Sequence, residues 1–191
     1  VSARYFRLAN FVSTDGSVAV GGVAFNTDGL LTRTATGVVM SGSSSALQHI
    51  TFATMTLGGG PITVMGLAKW DAFHHNSRLF ECGSWSTDAI TLRNDETTGR
   101  LQWGGWGGYS TISSGGALAL KVGDWHHVVG TVSGSTMVSY IDGVEVSRKT
   151  DGGEPASKAY SDCQIGKDTN PNRYFSGKVS FIKIYSGAMT Q

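Results

Sequence analysis

Apolar and polar residues alternate in short runs along this chain, and turn-forming residues separate the runs. Successive side chains of a β-strand point to opposite faces, so this alternation indicates strands with one buried face. Nowhere does an apolar helical period persist beyond about two turns, which predicts almost no helix. The chain is therefore predicted to be all-β. The strands expected from the pattern lie at 3–11, 18–25, 49–57, 62–70, 79–83, 89–93 and 101–103.

The run from Ile62 to Trp70 is apolar on both of its faces. A strand of this kind is typical of the centre of a sheet that is covered by a second sheet, so the pattern predicts a two-sheet antiparallel β-sandwich. In the run 49–57, Ile50, Phe52 and Thr54 are expected to share one face. Residues 13–48 carry only weak strand signals.

A β-hairpin is the clearest local prediction. Two strand-prone runs, Val138–Ile141 and Val144–Ser147, flank Asp142-Gly143, a pair that tolerates the positive φ angles of a type I′ turn. This turn fixes the register and places Ser139 opposite Val146. The face predicted to be buried consists of Met137, Ser139, Ile141, Val144 and Val146.

Several motifs resemble one known family. The strand Trp125-His126-His127-Val128, followed by a strand that ends in Tyr140-Ile141-Asp142-Gly143, is similar to the signature of laminin-G-like (concanavalin A-like) jelly-roll domains. The closing segments 163–166, 174–179 and 182–185 resemble the end of the same pattern, and 59–64 leading to Lys69-Trp70 resembles its first long strand. The resemblance covers roughly residues 50–190 and implies a jelly roll related to pentraxins and legume lectins. That fold hosts lectins, adhesion modules and hydrolases alike.

Length and charge narrow the class of protein. The 191 residues fit one laminin-G-like domain, 1–191. Charged residues make up 15% and the formal net charge is +1, which argues against a nucleic-acid partner. No apolar run is long enough to span a bilayer, so membrane insertion is not expected. Because the chain begins with Val1, we expect it to be a piece of a larger protein. The family resemblance implies that this protein is extracellular or exposed on a cell or virion surface.

The acidic residues do not form the pattern of a glycosidase. Two carboxylates about 5–10 Å apart are needed, and alternate positions of one strand would supply them. Asp95 and Glu96 are adjacent in a predicted turn and should diverge. Glu81 has no acidic partner two residues away, so we expect a solvated or core-edge acid. No nucleophile elbow or phosphate-binding loop is present, and the chain is predicted not to be an enzyme.

The histidines occur as the adjacent pairs His74-His75 and His126-His127, with His49 alone. Adjacent residues of a strand point to opposite faces, so neither pair chelates one metal ion by itself. The resemblance assigns the pair at 126–127 a structural role, with one ring packed and the other on the sheet surface. His74 falls in an expected loop, where it contacts either a ligand or water.

Calcium is the metal that the resemblance to pentraxins implies, since oxygen ligands from loops suit this ion. The matching positions are Asp88 in the first loop and Asp168 and Asn170 in the second. Lys167 beside the second loop and the small number of acids depart from the pentraxin pattern. The alternative is that these residues cap ordinary turns.

An aromatic segment, Trp103-Gly104-Gly105-Trp106-Gly107-Gly108-Tyr109, is the most distinctive local feature. Indole and phenol rings beside glycines can stack on the apolar face of a sugar ring. Trp103 is expected in the core. Trp106 and Tyr109 either form a ligand platform or pack against a loop, and Trp85 in the preceding loop is expected nearby.

Two cysteines, Cys82 and Cys163, each fall in a predicted strand. A lone buried thiol behaves as a small hydrophobe, whereas a disulfide requires Cα atoms within about 7 Å. Pattern alone leaves both possibilities open, and an oxidising compartment follows only from the family resemblance.

Together these features predict a non-catalytic carbohydrate-binding or adhesion module, with a glycan or a surface glycoprotein as its partner. The first alternative is a structural or protein-interaction module. The second is a carbohydrate-active enzyme, a glycosidase or polysaccharide lyase, on the same fold. Oligomeric state is not predicted.

Overall fold

The computed structural model describes residues 3–7, 17–20, 23–27, 31–41, 48–52, 54–84, 87–106, 111–115, 118–167 and 173–189. These residues form eighteen strands and no helix, so no helix among them is long and apolar enough to cross a membrane. The strands are β1 Ala3–Arg7, β2 Ser17–Val20, β3 Val23–Thr27, β4 Thr32–Thr34, β5 Gly37–Ser41, β6 Ile50–Phe52, β7 Met55–Leu57, β8 Ile62–Ala72, β9 Arg78–Cys82, β10 Asp88–Asn94, β11 Leu101–Trp106, β12 Thr111–Ser113, β13 Trp125–Ser133, β14 Thr136–Ile141, β15 Val144–Lys149, β16 Lys158–Tyr160, β17 Gln164–Ile165 and β18 Ser176–Ser186.

Two eight-stranded antiparallel sheets make up the sandwich, and both the all-β prediction and the jelly-roll prediction are confirmed. The first sheet has the order β15-β14-β13-β8-β18-β5-β4, with β1 also paired to β18. The second has the order β12-β11-β10-β9-β17-β6-β3-β2, and β16 and β7 form a small third sheet. As predicted from its two apolar faces, β8 lies inside its sheet, between β13 and β18.

Trp103 of the second sheet packs against β13 of the first sheet. Its indole is fully buried and donates a hydrogen bond from Nε1 to the carbonyl of Thr131 at 3.1 Å. A Cβ atom on Gly130 of β13 would lie 2.2 Å from Trp103 Cδ2. The first sheet therefore leaves room for this indole by having no side chain at Gly130, and the prediction that Trp103 belongs to the core is confirmed.

The predicted run 49–57 is divided between two sheets. Ile50 and Phe52 are buried in β6 of the second sheet, as expected, but Thr54 is exposed and β7 pairs with β16 instead. The expectation that Thr54 shares their face is wrong because the chain leaves the second sheet between these strands.

The turn at Asp142-Gly143 has positive φ angles of 52° and 82°, which agrees with the type I′ prediction. Beyond the turn the predicted register is wrong, because a β-bulge places Ser139 opposite Ser147 instead of Val146. Met137, Ser139 and Ile141 are buried as predicted. Val144 is 48% exposed beside the turn, and Val146 is only partly buried.

Asp142 also joins this hairpin to β13. Its Oδ1 accepts the backbone N–H of His127 at 2.8 Å, and its Oδ2 lies 2.7 Å from Nδ1 of His126. His126 Nε2 accepts the backbone N–H of Lys121 at 2.9 Å, so Nδ1 carries the proton that Asp142 accepts. The motif residues His126 and Asp142 are thus structural, as the resemblance implied.

A disulfide joins Cys82 and Cys163, whose Cα atoms are 3.9 Å apart. The two residues lie opposite each other because Gln164 of β17 pairs with Glu81 of β9. Of the two possibilities that the sequence left open, the structure therefore has the disulfide. The pairing depends on strands far apart in sequence, which the spacing of the cysteines does not show.

Candidate functional site

Polar side chains cover the face of the second sheet that is turned away from the core. Across β9, β10 and β11 the residues facing inwards include Phe80, Leu92 and Trp103, all fully buried and apolar. On the opposite face Glu81 pairs in register with Thr91 and Gln164, while Arg93 pairs with Arg78 and Gln102. We call this set the polar face. It consists of Arg78, Glu81, Thr91, Arg93, Gln102 and Gln164.

A β-bulge at Leu79 brings Arg78 onto the polar face. In the register of β9 and β10, Phe80 lies opposite Leu92 but Arg78 lies opposite Arg93, so Leu79 is an extra residue. Leu79 and Phe80 then both point into the core. Arg78 Nε consequently reaches Glu81 Oε2, although the two residues are three positions apart in a strand.

The ion pair of Arg78 and Glu81 is buried, with both side chains no more than 3% exposed. This corrects the expectation that Glu81 is a solvated or core-edge acid. Arg78 Nη1 also donates to the carbonyl of Asn76. Burial of both charges is tolerated because each one is paired and hydrogen-bonded.

Arg93 and Gln102 continue the network towards β12. Arg93 Nε donates to Gln102 Oε1, and Gln102 Nε2 donates to Ser113 Oγ at 2.9 Å and to Asp95 Oδ1 at 3.2 Å. Burial lowers the pKa of Arg93 to about 9, and the neighbouring charge of Arg78 acts in the same direction against that of Glu81. The side chains of the polar face are thereby fixed in position before any ligand is present.

Asp95 and Glu96 diverge, as predicted. Asp95 Oδ2 lies 2.7 Å from Arg100 Nη2, whereas Glu96 Oε2 lies 2.7 Å from His75 Nε2 on a neighbouring loop. Both acidic groups of the described polar face and its border, Glu81 and Asp95, therefore contact arginines.

The other end of the same strands forms a second polar cluster, which we call the rim. It consists of residues 82–84, 87–88 and 158–163. Asp88 pairs in register with Trp106 at the end of β11. Asp88 and Trp106, two residues predicted from the sequence to bind a ligand or metal, are therefore neighbours in the sheet.

Both carboxylate oxygens of Asp88 are engaged. Oδ1 accepts the backbone N–H of Ser84 at 3.0 Å and the hydroxyl of Thr87 at 3.1 Å, and Oδ2 accepts from Lys158 Nζ. Partial burial acts to raise the pKa of Asp88, but the hydrogen bonds from Lys158, Ser84 and Thr87 outweigh it and the pKa is lowered. Asp88 thus holds Ser84 and Thr87 together.

Three further links hold the rim together. Tyr160 donates its hydroxyl to the Asp88 carbonyl at 3.0 Å, and the N–H of Gly83 donates to Asp162 Oδ1 at 3.0 Å. The third link is the disulfide. Burial raises the pKa of Tyr160 to about 12, with the charges of Asp88 and Asp162 adding to it, so the hydroxyl keeps its proton. A Cβ on Gly83 would lie 2.8 Å from both Tyr160 Cε1 and Asp88 Oδ1.

The calcium site that the pentraxin resemblance implied stays a prediction, because Asp168 and Asn170 lie outside the described residues. The described residues contain no group of three or more histidine, cysteine, aspartate or glutamate residues that could hold a metal ion. Lys158 is in contact with the Asp88 oxygen that a cation would take. The second loop also leaves the sheet at the far end of β9, because Gly166 N–H donates to the Leu79 carbonyl at 3.4 Å.

His74 lies in a loop at that far end. Its carbonyl accepts the side-chain N–H of Asn94 at 2.9 Å. The five residues of β9 separate this loop from the rim by about 17 Å, so the structure does not bring His74 together with Asp88. Trp85, Tyr109, Asp168 and Asn170 lie outside the described residues, as does the side chain of Trp106, and their roles stay predictions.

A cavity of about 130 Å³ lies elsewhere, between β7 and the ends of β8 and β18. Its lining includes Leu57, Ile62, Ile184 and Tyr185, and Tyr185 is its one titratable side chain. The polar groups that suit ligand recognition are concentrated on the polar face and the rim instead.

A known family accounts for this architecture. The model of the laminin-G type, described as the concanavalin A-like lectin/glucanases superfamily, matches residues 42–191. The chain belongs to the concanavalin A-like lectin/glucanase superfamily. No curated protein sequence matches it significantly. The recognition of a laminin-G-like domain from the hairpin motifs is confirmed.

Solved members of the concanavalin A-like fold resemble the chain at low sequence identity. Domain 4 of AbnA, a GH43 extracellular arabinanase from Geobacillus stearothermophilus solved with arabinotriose, has a TM-score of 0.71 and 17% identity over 98% of this chain and 93% of that one. A Trypanosoma rangeli sialidase in complex with sialic acid has a TM-score of 0.68 and 14% identity, and the match covers 98% of this chain but only 31% of the sialidase. The heptameric SAP-like pentraxin from Limulus polyphemus has a TM-score of 0.56 and 18% identity over 72% of this chain and 69% of the pentraxin. At these identities the likeness establishes the fold alone.

Proposed function

We propose that this domain is a non-catalytic glycan-binding module of a secreted or surface-exposed protein. The observation that carries the proposal is the polar face, a buried and cross-bonded network on the side of the sheet that an ordinary sandwich would leave to solvent. The buried arginine, glutamate and glutamine side chains would hold this sheet rigid, and the partly exposed polar groups at its edges would bind the closely spaced hydroxyl groups of a sugar. Thr51 and Ser113 at its edges are partly exposed.

The state of the carboxylates supports binding over hydrolysis. A glycosidase needs one carboxyl group as a proton donor and a second as nucleophile or base. Among the described residues of the polar face and its border, Glu81 is bonded to Arg78 and Asp95 to Arg100. Neither arrangement leaves a carboxyl group ready to give a proton to a leaving oxygen.

The position of the aromatic residues also supports the proposal. Trp106 ends the strand β11 that carries Gln102, and Gly104 between them pairs with Thr91 of the polar face. Aromatic rings at this end would stack on a sugar while polar groups at the edges of the polar face bind its hydroxyls. We assign Trp106, Tyr109 and Trp85 to this role.

The structural relatives agree with this class of function. The arabinanase match spans nearly the whole of a domain that was solved with a bound oligosaccharide. The disulfide is consistent with folding in an oxidising compartment, as expected for a secreted or surface protein.

A glycan array probed with the purified domain tests the proposal. We expect binding to a restricted set of oligosaccharides, and loss of that binding in Trp106→Ala and Tyr109→Ala. The matched control is Tyr140→Ala, which removes a partly exposed aromatic ring from the first sheet. Incubation of bound oligosaccharides with the domain, followed by a reducing-end assay, is expected to show no cleavage.

A blank array with a folded domain, or equal binding by the three aromatic variants, contradicts the proposal. Cleavage of a bound oligosaccharide would instead establish a carbohydrate-active enzyme. The competing function is a protein-interaction module, favoured by Val122 and Val144, which are 54% and 48% exposed near the His126–Asp142 contact. A Val122→Ser, Val144→Ser variant that loses a protein partner would establish it.

A further inference from the structure

Lys158 occupies the position beside Asp88 Oδ2 that a cation bound by this carboxylate would take. Its Nζ contacts Asp88 Oδ2 and lies 5.4 Å from the centroid of the Tyr160 ring. The hydrogen bond to Asp88 raises the pKa of Lys158, and the charges of Asp88 and Asp162 add to this effect. The ammonium group is therefore a permanent positive charge between two carboxylates and an aromatic face.

The oxygen atoms that surround Lys158 are already committed to donors. Asp88 Oδ1 accepts from Ser84 and Thr87, the Asp88 carbonyl accepts from Tyr160, and Asp162 Oδ1 accepts from Gly83. Calcium requires about six to eight oxygen ligands and no cation within contact distance. While Lys158 is in place, the oxygen atoms at the rim thus suit one monovalent ammonium group and oppose a divalent ion.

We infer that the ammonium group of Lys158 replaces a metal ion at the rim, so that Ser84, Thr87 and Asp88 keep their contacts without calcium. The lysine supplies the positive charge that holds Asp88 against the 158–163 segment. The disulfide and the Asp162 contact fix that segment in turn. Stability of the domain is then independent of calcium, in contrast to the pentraxin-like expectation.

The test is urea unfolding of the whole domain in EGTA, in millimolar calcium and in millimolar magnesium. The wild-type midpoint is expected to be the same in all three solutions. Lys158→Ala leaves Asp88 and Asp162 without their cation, so its midpoint in EGTA is expected to fall below that of the wild type. Calcium should then raise that midpoint in proportion to the logarithm of its concentration, because it binds the folded state.

Two control variants make the test specific. Lys149→Ala removes a lysine from the first sheet, where Nζ lies 3.8 Å from Asp151, and is expected to show no calcium response. Asp88→Asn combined with Lys158→Ala removes the carboxylate and should abolish the response. If Lys158→Ala does not fold, Lys158→Gln retains an N–H donor without the charge and carries the same comparison.

A wild-type midpoint that rises with calcium overturns the inference, and so does a folded Lys158→Ala variant that calcium does not stabilise. The readout is stability and uses no glycan. A failure here therefore leaves the proposed glycan binding to be judged by the array alone.

Discussion

Loss of the disulfide between Cys82 and Cys163 should greatly lower the free energy of unfolding of the domain. The bond links residues that are 81 positions apart. Cross-linking reduces the number of conformations available to the unfolded chain. For a loop of this length the chain-entropy relation gives an unfolded-state entropy loss of about 15 cal/mol/K. At 25 °C this corresponds to about 4.5 kcal/mol of unfolding free energy.

Urea unfolding of the wild-type domain with and without reductant measures this quantity. With a denaturant slope of about 3 kcal/mol/M, as expected for a chain near the upper end of the small-protein range, the midpoint should fall by about 1.5 M on reduction. The slope should also rise, because the reduced unfolded chain exposes more surface. Labelling of free thiols confirms that both cysteines have been reduced.

The double variant Cys82→Ala, Cys163→Ala serves as the control and should have the same low midpoint in both buffers. The reasoning is refuted if the wild-type midpoint moves by less than about 0.2 M when both thiols are shown to be free, given the denaturant slope assumed here. Such a result would mean that the unfolded chain retains the contacts around the disulfide.

Three further substitutions test other parts of the structure by urea unfolding. Gly130→Ala should lower the free energy of unfolding by about 1–3 kcal/mol or prevent folding, because its Cβ would lie 2.2 Å from Trp103. The control Gly60→Ala, whose Cβ would meet open space, should change the midpoint little. Equal midpoints of the two variants would contradict this. Asp142→Asn keeps the turn and one acceptor oxygen but loses the negative charge, and should lower the free energy of unfolding by about 1–2 kcal/mol; an unchanged midpoint would show that the charge adds nothing to the contacts with His126 and His127. Burial lowers the pKa of His127, with Lys183 acting in the same direction and Asp142 against it. The free energy of unfolding should therefore fall as the pH drops below about 6.5, and His127→Gln should flatten this dependence. An equal slope of unfolding free energy against pH in both proteins would contradict it.

Local signals predicted the hairpin better than the long-range pairings. The Asp142-Gly143 turn was readable because two adjacent residues determine it. Its register beyond Tyr140 was not, since a bulge adds one residue without changing the composition of either strand. The disulfide depends on β17 lying beside β9, and nothing within either segment determines that neighbour.

The polar face was missed for a related reason. Glu81 has no acidic residue two positions away in its strand. Its basic partner lies three residues earlier, a spacing that places two residues on the same side only where a strand has a bulge. A usable signal was nevertheless present, because Thr91, Arg93 and Gln102 alternate with buried apolar residues in their strands. When the polar positions of neighbouring strands fall on the same side of a sheet, they predict a polar face even where no catalytic pair of acids is visible.

The extra residue at Leu79 gives β9 two alternating frames, one on each side of the bulge. Arg78 belongs to the first frame and Glu81 to the second, and at a separation of three positions only the bulge brings them to the same side of the sheet. Deletion of Leu79 would leave Arg78 and Glu81 two positions apart in a regular strand, still on the same side of the sheet, while the core would lose one leucine side chain. A relative could therefore keep this ion pair either three positions apart with the bulge or two positions apart without it, and a comparison of relatives should look for gaps at this position before it looks for substitutions.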